Sequence, residues 1–363
     1  MKTAILTLHY GFNYGAILQA HAMAKLFDGE IVDHRYKAKV DANSRLHDGL
    51  SFLSDDIERL LPLTPRAFYA KDCADSKTLR YVEKHFDRLV LGSDELWKTS
   101  YSSRNPRQDL VREILRHPFL TLRHYRHKQQ NPLSSPFPNV YWPLVSLPVI
   151  SCAASIGSTD VSAIPDFHLR IMARSLNRLE RIGVRDHKTM DFVCSVAPSS
   201  RNRVFHTPDP VFTLDPAVSR GALPSLRRKL AARGVDATTR FVLKHIGGKI
   251  PKHLADDCLR EQFPIICPNE TRMTVMEWHA AISLAHVVIT DRMHALIVAI
   301  THNTPCISID SRNKTLELKA EYEIPNYRSV KECVDNWAVS AARVEDYRNR
   351  TEGFARTHIS ARH

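Results

Sequence analysis

The alternation of short apolar runs with helical segments is the feature that most restricts the fold of this chain. Residues 3–9 form an apolar run that predicts a buried strand, residues 16–27 carry apolar side chains at helical spacing, and a second strand is predicted at 30–36. Further strands are expected around 86–97 and 148–158. Strand, helix, strand is the order typical of a parallel sheet, because parallel neighbours need a crossover connection.

The same order returns in the C-terminal half of the chain. Strands are predicted at 240–248, 263–268, 287–291 and 305–310, with helices at 274–286 and 294–303. We therefore predict an α/β fold with two Rossmann-like parallel-sheet domains facing a cleft. The predicted ranges are 1–215 for the N-terminal domain, with a basic insertion at 101–143, then 216–330 for the C-terminal domain and 331–363 for a helical tail that packs back on the N-terminal domain.

The charge of the chain predicts an anionic partner. The formal net charge is +12 over 363 residues, and such a surface attracts nucleic acid, anionic membranes or phosphorylated and carboxylated substrates. The sequence carries no zinc-knuckle, helix-turn-helix or RNA-binding signature, so we expect no nucleic acid. It carries no signal-peptide pattern and no apolar window of about 18 residues. We expect a cytoplasmic protein with at most peripheral contact at the inner face of a membrane.

Metal ligands are not evident in the sequence. The seven cysteines contain no C-x-x-C pair, and His117, His124 and His127 of the basic stretch match no zinc spacing. We interpret these histidines as a solvated basic face, with docking onto an anionic acceptor as the functional alternative. Trp97 and Cys152 are predicted to be core packing, and we expect no bound metal.

The turn after the strand at 287–291 carries the strongest candidate chemistry. Arg292 can form paired hydrogen bonds to a phosphate or carboxylate. His294 stands at the start of the next helix, where backbone N–H groups favour an anion and where an imidazole can exchange a proton near neutral pH. The structural alternative is that His294 caps the turn and Arg292 pairs with Asp291.

Other strand-end turns carry further candidates, since ligands bind outside the carboxyl ends of parallel strands. Asn13 and Gly15 could present backbone amides to an anion, or form an ordinary turn. Asp94 could accept a proton, or cap the next segment. Lys244 could line a donor site, or be a solvated lysine at a strand–loop junction, and no P-loop motif follows it.

Six motifs in order resemble one family. They are GFNYGAILQAHAM, GSDELW, AASIG, GVRD, DPVF and TDRMHALIVAITHNTPCISID, over roughly 1–36, 86–97 and 148–325. Together they resemble the polysaccharide pyruvyl transferase family. The resemblance implies a GT-B-like fold with the acceptor on the N-terminal side and the donor on the C-terminal side. It also implies transfer of pyruvate from phosphoenolpyruvate to a sugar hydroxyl pair, giving a pyruvate ketal and phosphate, in cell-surface or exopolysaccharide biosynthesis.

The strand-end positions and the resemblance together predict roles for individual residues. Arg292 and Arg185 would hold the phosphate and the carboxylate of phosphoenolpyruvate, the alternative for Arg185 being a surface neighbour of Asp186 without function. His294 is expected to be the general acid and Asp94 the base, while Asn13, Gly15 and Lys244 bind substrate. No cofactor is expected beyond phosphoenolpyruvate as co-substrate. At the residue after Gly-Ser-Asp, where the family often has Gln, this chain has Glu95.

Two other functions stay open on the sequence. A GT-B-type glycosyltransferase using a nucleotide sugar would share the fold and the basic character, and a non-catalytic binding protein could use the same fold. The acceptor sugar, the ketal positions and the state of the acceptor (free, lipid-linked or polymeric) are not encoded in any motif.

Overall fold

A computed structural model describes residues 1–10, 13–36, 52–70, 76–99, 139–236 and 238–360. Backbone contacts divide them into two compact units. The first unit holds the described residues within Met1–Gly11, Met23–Leu46 and Pro62–Thr207, and the second holds those within Phe12–Ala22, His47–Leu61 and Pro208–His363. The predicted domain ranges 1–215, 216–330 and 331–363 remain a prediction.

The first unit is built on a six-stranded sheet with the order β2-β1-β5-β6-β7-β8. Its strands are β1 (Thr3–Leu6), β2 (Glu30–Ile31), β5 (Arg88–Asp94), β6 (Val149–Ala154), β7 (Arg181–Val184) and β8 (Val204–His206). Every neighbouring pair is parallel. Every residue of β1 and β6 is buried, as expected for a parallel sheet covered on both faces. The order reverses between β1 and β5, so the end of β5 lies at a ligand-binding position of such folds.

The predicted strand at 30–36 is two strands in the structure. The chain turns tightly after Ile31, where the backbone N–H of His34 donates to the carbonyl of Val32 (2.7 Å). Beyond this turn β3 (His34–Tyr36) pairs in parallel with β4 (Phe68–Ala70) as a separate ribbon. The single strand predicted over these seven residues thus concealed a change of sheet.

The helices of the N-terminal half are divided between the two units. Four of them contribute residues to the first unit and two to the second, because one helix is shared. The helices of the first part of the chain are α1 (Tyr14–Phe27), α2 (Leu53–Leu60), α3 (Ser76–His85), α4 (Asp166–Arg178) and α5 (His187–Val196). Residues 14–22 of α1 and all of α2 belong to the second unit, whereas residues 23–27 of α1 belong to the first.

The second unit contains a four-stranded parallel sheet with the order β10-β9-β11-β12. Its strands are β9 (Val242–His245), β10 (Ile265–Ile266), β11 (Val287–Thr290) and β12 (Cys306–Ser308). Its later helices are α6 (Leu223–Ala231), α7 (Lys252–Arg260), α8 (Val275–Leu284), α9 (Met293–His302), α10 (Asn313–Glu321), α11 (Val330–Asn336) and α12 (Ala341–Ser360). The two parallel α/β sheets predicted from the sequence are confirmed. Here the strand order reverses between β9 and β11.

The connection from β11 to α9 is anchored by burial. All of β11 and residues 293–300 of α9 are buried. The helix ends at Asn303, whose φ of 52° is left-handed, a conformation that asparagine tolerates better than most residues. A side chain carried on the first turn of α9 therefore has a rigid base.

The tail helix α12 packs against a 3₁₀ turn at Pro210–Thr213 within the second unit. The Arg348 guanidinium donates from Nε to the carbonyl of Phe212 (3.3 Å), and the Thr351 hydroxyl donates to the carbonyl of Pro208 (3.4 Å). The Tyr347 ring meets the Phe212 ring edge to face at 5.1 Å. The turn is thus held at its start and its middle by the tail. Among the helices described here, none has the length and apolar character needed to cross a membrane.

Candidate active site

The turn between β11 and α9 is tied to the end of β9 by one threonine. The Thr290 hydroxyl donates to the carbonyl of His245 (2.8 Å) and accepts from the backbone N–H of Arg292 (2.9 Å). In the sheet register Thr290 stands opposite His245, and Ile289 opposite Lys244. The two strand ends at the switch point are therefore joined, and the predicted residues Lys244 and Arg292 leave the same edge of the sheet.

Arg292 pairs with its neighbour and remains accessible. Its Nε lies 2.9 Å from Oδ1 of Asp291, and 40% of the Arg292 side chain is exposed. Oδ2 of Asp291 accepts from the backbone N–H of Gly247 (2.9 Å), which fixes the carboxylate. The Arg292–Asp291 pairing, which was the structural alternative for this arginine, is therefore present. An exposed pair of this kind contributes only about 0–1 kcal/mol, so it does not prevent the guanidinium from binding a stronger anionic ligand.

Gly247 is placed where a larger residue would meet this guanidinium. A Cβ added at Gly247 would lie 3.0 Å from Nη2 of Arg292 and 3.4 Å from Oδ2 of Asp291. Both distances are at or below ordinary van der Waals contact. The loop after β9 thus approaches the Asp291–Arg292 turn closely because it lacks a side chain there.

A third strand end adds charged residues that the sequence argument missed. After β12, Arg312 forms a two-pronged pair with Asp310 and donates from Nη2 to the carbonyl of Asp291 (2.7 Å). Burial raises the pKa of Asp310, but hydrogen bonds from Arg312 and Thr315 outweigh it, and the pKa lies below its ordinary value. The signal that could have found this pair is the position of Asp310 and Arg312 at the end of the strand predicted at 305–310.

His294 is buried between two elements of the second unit. It is 8% exposed, and its Nε2 lies 3.4 Å from Oδ2 of Asp209. On the other side of the ring, a Cβ added at Gly15 would lie only 2.4 Å from Nδ1 of His294. The absence of a side chain at Gly15 is what lets α1 approach the imidazole so closely. The N-terminal turns of α1 and α9 therefore meet at this pair.

Asn13 fixes the start of α1. Its Oδ1 accepts from the backbone N–H of Gly15 (3.0 Å), and its carbonyl accepts from the N–H of Ile17 (3.1 Å). This is helix-capping geometry, the turn alternative that we considered for this residue. It holds the first turn of α1, and with it the other backbone N–H groups of that turn, in position.

His245 and Tyr14 form a ring cluster beneath the strand ends. The Tyr14 ring lies 5.5 Å from His245 and 5.3 Å from Trp278, and the last two are 5.3 Å apart. Burial, with a smaller contribution from the charge of Arg292, lowers the pKa of His245 to about 3, so this imidazole is neutral at neutral pH. Burial raises the pKa of Tyr14, so its hydroxyl keeps its proton. Both rings act as uncharged packing under the site.

In the first unit the structure brings Asp94 and Arg185 together. Nη2 of Arg185 lies 3.7 Å from Oδ1 of Asp94, with side-chain exposures of 7% and 19%. Arg185 follows β7, and its backbone N–H donates to the carbonyl of Ala154 at the end of β6 (3.1 Å). Arg185 and Asp186 are both buried, so the surface pair we considered as an alternative is wrong.

The backbone at the end of β5 is left-handed at two consecutive residues. Ser93 has a φ of 27° and Asp94 a φ of 77°. Such conformations cost on the order of 1–3 kcal/mol each outside glycine, and they gather at functional sites. The left-handed backbone at Ser93 and Asp94 therefore makes the end of β5 a candidate functional position.

Glu95, the residue at which the chain differs from the family pattern, lies against a glycine turn. Its Oε2 is 2.8 Å from Nζ of Lys98, and a Cβ added at Gly157 would be 2.6 Å from the Glu95 carboxyl carbon. Gly157 has a φ of 55°. Nζ of Lys188 donates to the carbonyls of Gly157 and Thr159 (3.1 and 2.7 Å), which secures the turn.

The structure places the remaining predicted residues as follows. Trp97 and Cys152 are 1% and 0% exposed, which confirms them as core packing. His117, His124 and His127 lie outside the described residues. Within the described ranges, no group of three or more His, Cys, Asp and Glu side chains is arranged to hold a metal ion.

Comparisons with known proteins agree with this architecture. UDP-GlcNAc 2-epimerase from Methanocaldococcus jannaschii aligns with a TM-score of 0.50 and 11% identity, over 99% of each chain. The UDP-GlcNAc 2-epimerase from Neisseria meningitidis bound to UDP-GlcNAc gives a TM-score of 0.47 and 10% identity, over 99% of this chain and 100% of the other. At this identity the first likeness shows the fold alone, which is GT-B-like. The comparison with curated proteins finds no significant match.

A family comparison identifies the chain directly. The model of the polysaccharide pyruvyl transferase family matches residues 13–313, which include every predicted site residue. This match, with the six ordered motifs and the α/β fold, confirms the family interpretation and makes the protein a transferase that acts on a sugar or glycan in polysaccharide biosynthesis. The chain belongs to the polysaccharide pyruvyl transferase family.

Proposed function

We propose that this transferase uses phosphoenolpyruvate as its donor and converts a hydroxyl pair of a sugar or glycan into a pyruvate ketal. The observation that carries the proposal is the meeting of the α1 and α9 N-terminal turns at Gly15 and His294, beside the accessible Arg292. Helix N-termini offer unpaired N–H groups and a partial positive charge, so they favour anions. Phosphoenolpyruvate carries two anionic groups, a phosphate and a carboxylate.

The residues of the second unit would bind and protonate the donor. Arg292 has 40% of its side chain exposed and a fork geometry suited to phosphate or carboxylate. Lys244, at the end of β9, is proposed to add positive charge. His294 is proposed to deliver a proton to the methylene carbon, since an imidazole suits acid–base work near neutral pH. That proton makes the central carbon electrophilic.

Ketal formation then takes two steps at the same carbon, an addition followed by a displacement. The first sugar hydroxyl attacks the central carbon as the methylene becomes a methyl group. The second hydroxyl displaces phosphate, so two C–O bonds to sugar form and one C–O bond to phosphate breaks. Of the two hydroxyl protons, one restores the general acid and the other leaves with a base or with phosphate. The reaction needs no redox cofactor, and we propose that phosphoenolpyruvate is its only co-substrate.

The first unit carries the group that we propose for the acceptor. Asp94, on a left-handed backbone and 3.7 Å from Arg185, is proposed to accept the proton of the attacking hydroxyl. Arg185 would position this carboxylate or bind a donor anion. We further propose that the reaction takes place in the cytoplasm, where phosphoenolpyruvate is made, on an acceptor that is free or lipid-linked.

Acceptor-dependent phosphate release tests the proposal. Purified protein is incubated with phosphoenolpyruvate and a panel of galactosides, mannosides, glucosides and aminosugar glycosides, with phosphate and product mass measured together. We expect phosphate release only with an acceptor, and a product heavier by one pyruvate less one water. Consumption of a nucleotide sugar with phosphoenolpyruvate untouched would instead establish the glycosyltransferase alternative.

Two variants with matched controls tie the activity to the site. Arg292→Lys should raise KM for phosphoenolpyruvate at least about tenfold, because a lysine cannot reproduce the paired hydrogen bonds. His294→Gln should lower kcat by about 10²–10⁴-fold, the usual contribution of general acid–base catalysis. Arg260→Lys, at an exposed Arg–Asp pair of 3.1 Å on α7, and His253→Gln, at an exposed histidine of the same helix, should both leave the kinetics unchanged.

A further inference from the structure

Asp209 is the acidic residue that the structure places against His294. It is 3% exposed, and its Oδ2 lies 3.4 Å from Nε2 of His294. The sequence gives no reason to connect them, because β9, β10 and β11 separate the two residues along the chain. The pair forms only through the fold of the second unit.

The position of Asp209 is fixed independently of His294. Its other oxygen, Oδ1, accepts from the backbone N–H of Val211 (3.0 Å), and it caps the 3₁₀ turn at Pro210–Thr213. The same turn is held from behind by Arg348 and Thr351 of α12. One oxygen is therefore committed to the backbone, and the other faces the imidazole.

The two ring nitrogens of His294 consequently face different surroundings. Nε2 faces Asp209, whereas Nδ1 faces Gly15 in the first turn of α1. The Nε2–Oδ2 separation of 3.4 Å is longer than an ordinary hydrogen bond, and Nε2 has no hydrogen-bond partner among the described residues. Catalytic hydrogen bonds are often long without substrate and shorten in the complex.

We infer that Asp209 is the positioning residue of His294: it accepts a hydrogen bond from Nε2 and leaves Nδ1 as the nitrogen that handles the substrate proton beside the α1 N-terminus. The inference rests on the proposed role of His294 as general acid. The negative charge of Asp209 lies beside Nε2, and its oxygen, fixed by the Val211 cap, orients the ring. Asp209 itself gains no proton in this scheme.

The kinetic test is a double-mutant cycle. Asp209→Asn keeps the side-chain size and the oxygen that caps Val211, and removes the charge. We expect kcat to fall at least about tenfold, with KM for phosphoenolpyruvate changed less than about threefold. In the His294→Gln background the same substitution should change kcat less than about twofold, since a positioning residue acts only through its partner. An equal loss in both backgrounds would mean a structural role and would overturn the inference, as would wild-type kcat in Asp209→Asn.

A matched control tests whether a weakened turn cap, and not the lost charge beside His294, explains the effect of Asp209→Asn. Asp215 caps the following 3₁₀ turn in the same way, with Oδ1 accepting from the N–H of Ala217 (2.8 Å), and its side chain is exposed. Asp215→Asn should therefore keep wild-type kcat. A comparable loss in both aspartate variants would show that capping alone is responsible, and the inference would fail.

A spectroscopic test does not depend on turnover. In protein labelled with ¹⁵N-histidine, the His294 signals are identified by their absence in His294→Gln. Asp209→Asn should shift these signals, and Asp215→Asn should leave them in place. If the wild-type protein releases no phosphate from phosphoenolpyruvate, the proposed donor is wrong, yet the shift would still establish the coupling of Asp209 to His294. Unmoved His294 signals in Asp209→Asn would overturn it.

Discussion

Replacing Gly15 with alanine should disable the site with little effect on the fold. The added Cβ would lie 2.4 Å from Nδ1 of His294 and 2.7 Å from its Cβ and Cγ. Carbon contacts relax at about 3.5 Å, so the ring must retreat by about 1 Å. The backbone of His294 cannot follow, because residues 293–300 of α9 are buried. The imidazole must therefore leave its rotamer, or α1 must shift.

The two free-energy terms of this substitution have opposite signs. Overpacking of a buried contact typically costs about 1–3 kcal/mol. Alanine in a helix gains about 0.5–1 kcal/mol over glycine. We expect the free energy of unfolding to fall by about 0–2.5 kcal/mol. A misplacement of about 1 Å at a reacting group can cost about 10²-fold in rate, so kcat/KM should fall far more than the stability change explains.

The assay combines acceptor-dependent phosphate release with urea unfolding of the same preparation. Gly353→Ala is the matched control, because it is a glycine within helix α12 with no atom within 4 Å of an added Cβ. It should keep wild-type kcat/KM and gain about 0.5–1 kcal/mol of stability. Wild-type kcat/KM in Gly15→Ala would refute the argument that this close approach sets the imidazole.

Two further predictions concern stability. Gly157→Ala combines a left-handed φ of 55° with a contact of 2.6 Å to the Glu95 carboxyl carbon, so the free energy of unfolding should fall by about 2–4 kcal/mol. The control is Gly234→Ala, which has a φ of 75° and open space around it, so it should lose only the part of the stability that comes from backbone strain. Equal losses of the two variants in urea unfolding would contradict this. Burial, with a smaller contribution from His302, lowers the pKa of His279 from 6.5 to about 3. As the pH falls, His279 therefore takes up a proton in the unfolded chain at a higher pH than in the folded protein. The free energy of unfolding is unaffected by this group above pH 6.5 and falls below it, by about 2 kcal/mol at pH 5. His279→Gln should remove that share from urea unfolding measured at pH 7 and pH 5, and an unchanged pH dependence would show that His279 is not the group responsible.

Both sheets could be predicted from the sequence because their inner strands, such as β1, β6 and β11, are buried along their whole length. A strand such as Val149–Ala154 reads as a continuous apolar run, and the turns between the runs contain glycine or charged residues. The ribbon of His34–Tyr36 with Phe68–Ala70 could not be predicted. Its strands are three residues each, and the stretch at 30–36 contains no glycine or proline to mark the turn at Val32.

The site was predictable to the extent that it lies on strand-end turns. Arg292, His294 and Lys244 follow from this rule, since the position of a turn after a parallel strand is local information. Asp209 does not, because the strand it follows, β8, belongs to the sheet of the first unit, and only the fold of the second unit brings Asp209 to His294. The close approach of Gly15 to the His294 imidazole could not be predicted either, because it depends on a helix from the other end of the chain; the predicted role of Gly15 in substrate binding stays a prediction.

The tail helix has a consequence for where the enzyme can be shortened. The family match ends at residue 313, and a protein cut near 340 would retain both sheets and every residue of the match. It would lose Arg348 and Thr351, the two side chains that brace the turn behind Asp209. Such a truncation would remove the support behind the imidazole although it keeps the whole family match. Because Tyr347, Thr351 and Phe354 are buried, it would also expose apolar surface of the second unit, so the recognisable domain is smaller than the unit that folds.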